Sequence, residues 1–257
     1  SLEFHHITKK EIYPYAHQFR TGENIRTKLP SNYYEHRKDV DFENALLINY
    51  SPFIKYVSVM LNNVALQKDH LDLNENSLEN NIEKLNITDT LIKNQKVKNV
   101  VLNNVAMMYL LEDQNMYNNQ KFIDRYLKLT TDEKNKKEIS EIYNSVQNLK
   151  VGNRLPKIDL IDTSNQKVDI NNLIKKPTVL FFWTSGAESH FVASHRKINE
   201  LQDKYPNYNF IAINVNDIKS KWENTLRKYN FNGITELRCE DFETIRKQWV
   251  ITKIHRV

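Results

Sequence analysis

The sequence predicts an α-helical N-terminal region followed by an α/β domain built on a parallel βαβ core. Only four glycines and six prolines occur in 257 residues, too little turn chemistry for a many-stranded β fold. From about residue 40 to 149 the apolar residues recur with a helical period. At Gly152 that period gives way to alternation and short apolar runs, spaced as strand, helix and strand.

Within the first region, Ser51-Pro52 reads as an N-cap followed by proline at the first helical position. Ile54, Val57, Leu61 and Val64 then fall on one face. Leu78, Ile82 and Leu85 repeat the pattern, as do Val97, Val101, Met108 and Leu111. Phe122, Tyr126 and Leu129 form a shorter set. Thr131 is expected to cap a last helix with the stripe Ile139, Ile142, Val146 and Leu149. Four or five helices in an irregular bundle are expected, with Met107-Met108 and Tyr33-Tyr34 as core. Residues 7–40 mix Tyr, His and charge without a clean period, and residues 1–40 are left unassigned.

In the second region, Lys157–Ile161 and Lys167–Ile170 alternate around the turn Asp162-Thr-Ser-Asn165, a hairpin signal. Thr178–Trp183 is a continuous apolar run, as a strand buried on both faces should be. Phe191, Ile198, Leu201 and Tyr205 mark a helix, and Phe210–Val215 a second buried strand. Helices are expected at Trp222–Tyr229 and Glu240–Trp249. Ile254–Val257 reads as the start of another strand, so the domain is expected to be incomplete at its C-terminus. The boundaries are therefore 1–149 for the helical region and 150–257 for the α/β domain. Strand–helix–strand at this spacing should pair in parallel through a right-handed crossover.

Composition removes several classes of function. The 37 basic and 32 acidic residues are interleaved, which reads as a mixed solvated surface and not as a nucleic-acid footprint. No run approaches the ~18 apolar residues of a membrane helix. A single cysteine, Cys239, excludes an intrachain disulfide and any multi-cysteine metal site; its simplest role is that of a small buried hydrophobe. The five Asn-Asn pairs carry no function that sequence reasoning assigns.

The motifs Val151-Gly-Asn-Arg-Leu-Pro156, Leu160–Val168, Leu173-Ile-Lys-Lys-Pro177 into Val179-Leu-Phe-Phe-Trp183, and Phe210–Val215 occur in the order and spacing of one family. Residues 150–257 resemble the TlpA/ResA-like branch of the thioredoxin superfamily. The preceding helical region resembles, in layout, that of cell-envelope members from Bacteroidetes. The resemblance implies a thioredoxin-like fold and a periplasmic or cell-envelope-facing location. It also implies a Cys-x-x-C at the start of the helix after Trp183, where backbone N–H groups stabilise a thiolate and a second thiol resolves the mixed disulfide. Ala187 and His190 stand at those two positions, and His255 stands where the family has a cis-proline.

The resulting expectation is a redox-inactive thioredoxin-like protein whose groove binds a protein or peptide partner, with Trp183, Ser185, Glu188, His190 and His255 as the binding residues. Whether the chain is an enzyme stays open. One alternative is an active thiol–disulfide reductase whose site was engineered. The other is a metal module: if the family fold holds, His190 and His255 lie close together, and with Glu188 they offer a zinc- or copper-compatible set. Helix capping by Ser185 or Gly186 is the plain structural role of this turn. His195, near Phe191 and Ile198, reads as a satisfied half-buried side chain.

Overall fold

A computed structural model describes residues 2–67, 77–112, 119–229, 231 and 233–251. The chain divides into two compact units, Ser1–Tyr143 and Asn144–Val257. The division falls inside a helix, six residues before the boundary expected from the change of period.

The first unit is helical. It contains α1 (Leu2–Thr21), α2 (Ser51–Leu66), α3 (Leu78–Leu91), α4 (Gln95–Glu112), α5 (Asn119–Leu129) and the start of α6 (Glu133–Asn148), with three short 3₁₀ turns between α1 and α2. Phe53, Tyr56, Leu61, Leu85, Leu102 and Phe122 are the heart of its core. Val57 and Leu61 are buried as expected, while Ile54 and Val64 only flank that core. Ser77 caps α3 by accepting the Asn80 N–H at 3.2 Å, a contact worth about 1 kcal/mol. Two caps differ from expectation. Tyr50, not Ser51, is the N-cap of α2, and Asp132, not Thr131, accepts the Asn135 N–H at the start of α6.

Helix α1 lies wholly within the unassigned residues 1–40, most of it where no period was visible. Its buried residues Ile7, Thr8 and Glu11 keep helical spacing, but the charge on Glu11 and an internal Pro14 disguise it. Proline removes one helical N–H and orphans the carbonyl four residues earlier. That carbonyl belongs to Lys10, and the Tyr33 hydroxyl donates to it at 3.1 Å. A residue 23 positions away thus repairs the helix.

The second unit carries a mixed sheet of five strands in the order β2-β1-β5-β4-β3. They are β1 (Leu160–Asp162), β2 (Lys167–Val168), β3 (Thr178–Trp183), β4 (Asn209–Asn214) and β5 (Thr235–Cys239). β1 and β2 form the expected hairpin, with Asn165 at φ +63° in its turn. β3, β4 and β5 run parallel, with Trp183 in register with Asn214 and Asn214 with Arg238; β1 is antiparallel to β5. The parallel β3–β4 pair is connected by α8 (Glu188–Lys204), and β4 is connected to β5 by α9 (Lys219–Tyr229). Trp183, Phe191, Phe210 and Trp222 pack on one face of the sheet. On the other face, α7 (Ile170–Leu173) and α10 (Phe242–Gln248) cover Leu160, Ile211, Ile213 and Leu237.

Two strands depart from the expected pattern. β3 pairs only with β4 among the described residues and is half-exposed except at Trp183, so its apolar run does not mark a strand sealed on both faces. β5 was not expected, because Glu236 and Arg238 place charges at buried strand positions. The expected strand at Ile254–Val257 lies outside the described residues. No helix among the described residues is long and apolar enough to cross a membrane.

Candidate functional site

The turn joining β3 to α8 lies at the carboxyl end of the parallel strands, where open α/β sheets place their ligands. It is a 3₁₀ turn over Ser185–Ala187, with the Thr184 hydroxyl accepting the Gly186 N–H at 3.4 Å. Ala187 is the N-cap of α8 and offers no side-chain cap. Neither Ser185 nor Gly186 caps α8 as expected, and Thr184 caps only the 3₁₀ turn before it.

Ser185 serves another purpose. Its backbone N–H and its hydroxyl both donate to the Asp217 carboxylate, at 2.6 and 2.7 Å. Asn214 at the end of β4 donates its amide to the same carboxylate at 2.7 Å, and the Lys221 ammonium stands 3.5 Å away. Asp217 is buried. Burial alone would raise its carboxyl, but the Asn214 amide, the two Ser185 donors and Lys221 outweigh it and hold it below the ordinary aspartate range. The loop reaches this position through Asn216, whose φ of +65° is a conformation that asparagine tolerates better than most residues. Asp217 therefore clamps the turn after β3 to the end of β4.

Beneath the turn, Trp183 is fully buried and stacks on Phe191 with ring centroids 5.0 Å apart. Its indole N–H donates to Glu236 at 3.2 Å. Trp183 thus supports the turn from the core and is not a contact residue of a groove. His195, also fully buried, places Nε2 2.9 Å from the other Glu236 oxygen and Nδ1 2.7 Å from the Phe191 carbonyl. It is a core residue rather than the half-buried one expected.

Two of the remaining expected site residues lie on the first turn of α8. Glu188 is exposed at the start of α8, where the Tyr229 hydroxyl donates to it and Lys228 pairs with it at 3.0 Å. His190 lies half-buried on the first turn of α8. His255 lies outside the described residues, so the expected His190–His255 pair and the zinc or copper set built on it are not described. Among the described residues, no group of three His, Cys, Asp or Glu side chains is placed to hold a metal ion.

Cys239 sits at the end of β5, 2% exposed, with its thiol donating to the Asp241 carbonyl at 3.2 Å. Burial pushes this thiol above the ordinary range, the opposite of what a nucleophile needs. A cleft of about 400 Å³ opens beside it at the ends of β4 and β5, lined by Asp217, Ile218, Arg238, Glu240 and Phe242 among others. Ile218 is 71% exposed there.

The arrangement is a turn tied by Ser185 to Asp217, beside an open cleft. The sequence located the turn that carries Ala187 and leads to His190. It missed Asp217, 32 residues from Ser185, because no local spacing connects the two. Comparison with family models, with curated proteins and with solved structures gives no match.

Proposed function

We propose that residues 150–257 form a thioredoxin-like domain of a cell-envelope protein that has lost thiol–disulfide exchange and binds an extended polypeptide at the carboxyl edge of its sheet. One observation carries this reading. The turn between β3 and α8 is fixed by two hydrogen bonds from Ser185 to the buried Asp217, which Asn214 of β4 also holds, yet it presents Ala187 where exchange would need a thiol. A site held this firmly without a reactive group suits recognition, because preorganisation lowers the ordering cost of binding. The parallel β3–α8–β4 unit after a β1–β2 hairpin supports the fold assignment. The buried Cys239 supports the loss of chemistry, and the exposed Ile218 beside the cleft supplies an apolar contact for a partner chain.

The test compares the 257-residue protein with its Ala187→Cys/His190→Cys variant in dithiothreitol-driven insulin reduction, and measures binding of fluorescently labelled insulin B chain by anisotropy. The parent should bind the peptide without turnover, and the variant should reduce insulin. Turnover by the parent would overturn the redox-inactive reading. A parent that fails to bind the peptide would overturn the recognition role.

A further inference from the structure

Arg238 is an unusual residue to find inside a sheet. It stands on β5 in register with Asn214 of β4, is only 7% exposed, and lines the cleft of about 400 Å³ at the ends of these strands. A guanidinium brings five N–H donors to such a position and cannot shed its charge to escape burial. Nη2 donates to Glu240 at 2.8 Å. Nε is buried and, among the described residues, has no acceptor. Buried donors in folded proteins are almost always paired, so an arginine donor left over in the wall of a cleft points to an acceptor that arrives from outside. The bond to Glu240 and the burial of the side chain fix the direction in which that donor is offered, which lowers the ordering cost of meeting it.

We infer that Arg238 Nε anchors a main-chain carbonyl of the bound polypeptide, and that the carboxylates around it select neutral or basic segments over acidic ones. The inference rests on the recognition role proposed above and adds its anchor and its charge preference. Every residue of an extended chain carries a carbonyl, an uncharged acceptor that adds no charge to the cleft. Asp217, Glu240, Asp241 and Glu243 line it together with Arg238. Lys221 and Arg246 meet Asp217 and Glu243 from outside that lining, at 3.5 and 2.9 Å. Asp241 accepts from the Thr244 N–H and hydroxyl, which are neutral donors. Arg238 is thus left to offset both Glu240 and Asp241. An incoming aspartate or glutamate would increase that negative excess, and a lysine or arginine would relieve it. The exposed Ile218 and the neighbouring Phe242 supply the apolar contact for the same segment.

The test titrates the whole protein into fluorescein-labelled decapeptides in which valine alternates with lysine, glutamine or glutamate, read by anisotropy. At low salt the lysine peptide should bind at least about fivefold more tightly than the glutamate peptide, and the gap should narrow as salt is raised. Arg238→Lys keeps a cation for Glu240 but has no Nε, and should weaken the lysine and glutamine peptides alike by about tenfold. Glu240→Gln changes an exposed side chain and so decides the question even if the buried variant does not fold. It should bring the lysine and glutamate affinities together without weakening the glutamine peptide. If neither the decapeptides nor insulin B chain bind the parent, the recognition role fails and this inference falls with it. If peptides bind but glutamate is held as tightly as lysine, if Arg238→Lys folds and binds like the parent, or if Glu240→Gln leaves the preference unchanged, this inference alone is overturned.

Discussion

Glu11 in the helical unit and Glu236 in the α/β unit are both buried carboxylates, each beside a histidine, yet their charges are met in different ways. Glu11 accepts a bidentate pair from Arg37 at 2.8 and 2.7 Å, the Asn63 amide at 2.5 Å and a contact from His36 at 2.9 Å. Burial would raise its carboxyl, but Arg37, Asn63 and His36 together hold it below the ordinary glutamate range. Among the described residues, Glu236 is met by His195 and the neutral indole N–H of Trp183. In both places the second ring nitrogen faces a backbone carbonyl, Tyr33 for His36 and Phe191 for His195. A carbonyl accepts only, so that nitrogen carries a hydrogen, and the hydrogen between Nε2 and the carboxylate belongs to the pair as a unit. The helical unit therefore meets its buried carboxylate with a permanent cation, and the α/β unit meets its own with an imidazole and an indole.

The difference follows from what each carboxylate organises. Glu11 fixes His36 and Arg37, 25 and 26 residues away, in a stretch with no regular element longer than a 3₁₀ turn. Arg37 also lies over the Tyr34 ring at 4.0 Å. A guanidinium fork positions such a segment in direction as well as in distance. Glu236 joins two elements already placed by the sheet, β5 and α8, in an aromatic setting where Phe231 stacks on His195 with centroids 4.4 Å apart. Flat rings fill that space and a guanidinium fork does not.

The largest effect should come from Arg37→Ala, which leaves the Glu11 charge buried without its full counter-ion. It should destabilise the helical unit by about 3–5 kcal/mol, read by urea unfolding followed by far-UV circular dichroism. A loss of less than ~1 kcal/mol would mean that His36 and Asn63 suffice and the contrast is empty.

A double-mutant cycle of His195→Phe and Glu236→Gln should give a coupling of about 1–3 kcal/mol, with phenylalanine keeping the ring packing. Strict additivity would show that the pair is held by packing alone.

The smallest effect concerns Asp217, a third buried carboxylate, bonded mainly by neutral donors. Its depressed value contributes stability that is fully present above the unfolded value near ~4 and is lost as pH falls through the folded value. Asp217→Asn should cost about 1 kcal/mol at pH 7, and the gap to the parent should shrink at pH 3. A gap that widens in acid would contradict the assigned direction.

The stripes of α2 to α6 and the apolar runs of β3 and β4 were legible because their periods are sustained over several turns or alternations. Helix α1 was not, since Glu11 and Pro14 interrupt its pattern; Arg37 pairs with Glu11 from 26 residues away, and Tyr33 meets the Lys10 carbonyl freed by Pro14 from 23 residues away. β5 was hidden in the same way by Glu236, whose partner His195 is 41 residues distant. At the candidate site, the turn carrying Ala187 and the helix start carrying His190 were visible by position. The role of Trp183 as core and of Asp217 as clamp was not.

The sequence by itself determined the two-part layout, the helical and parallel-sheet character of the parts, and a turn after β3 that carries no thiol. These are properties of local spacing and residue identity. Tertiary structure alone decided which charged and amide side chains became core, because burial of a polar group depends on partners that the fold brings to it. Glu11 and Glu236 acquire those partners only across 25 or more residues, and Asp217 reaches Ser185 across 32, a range at which chain order carries no geometric signal.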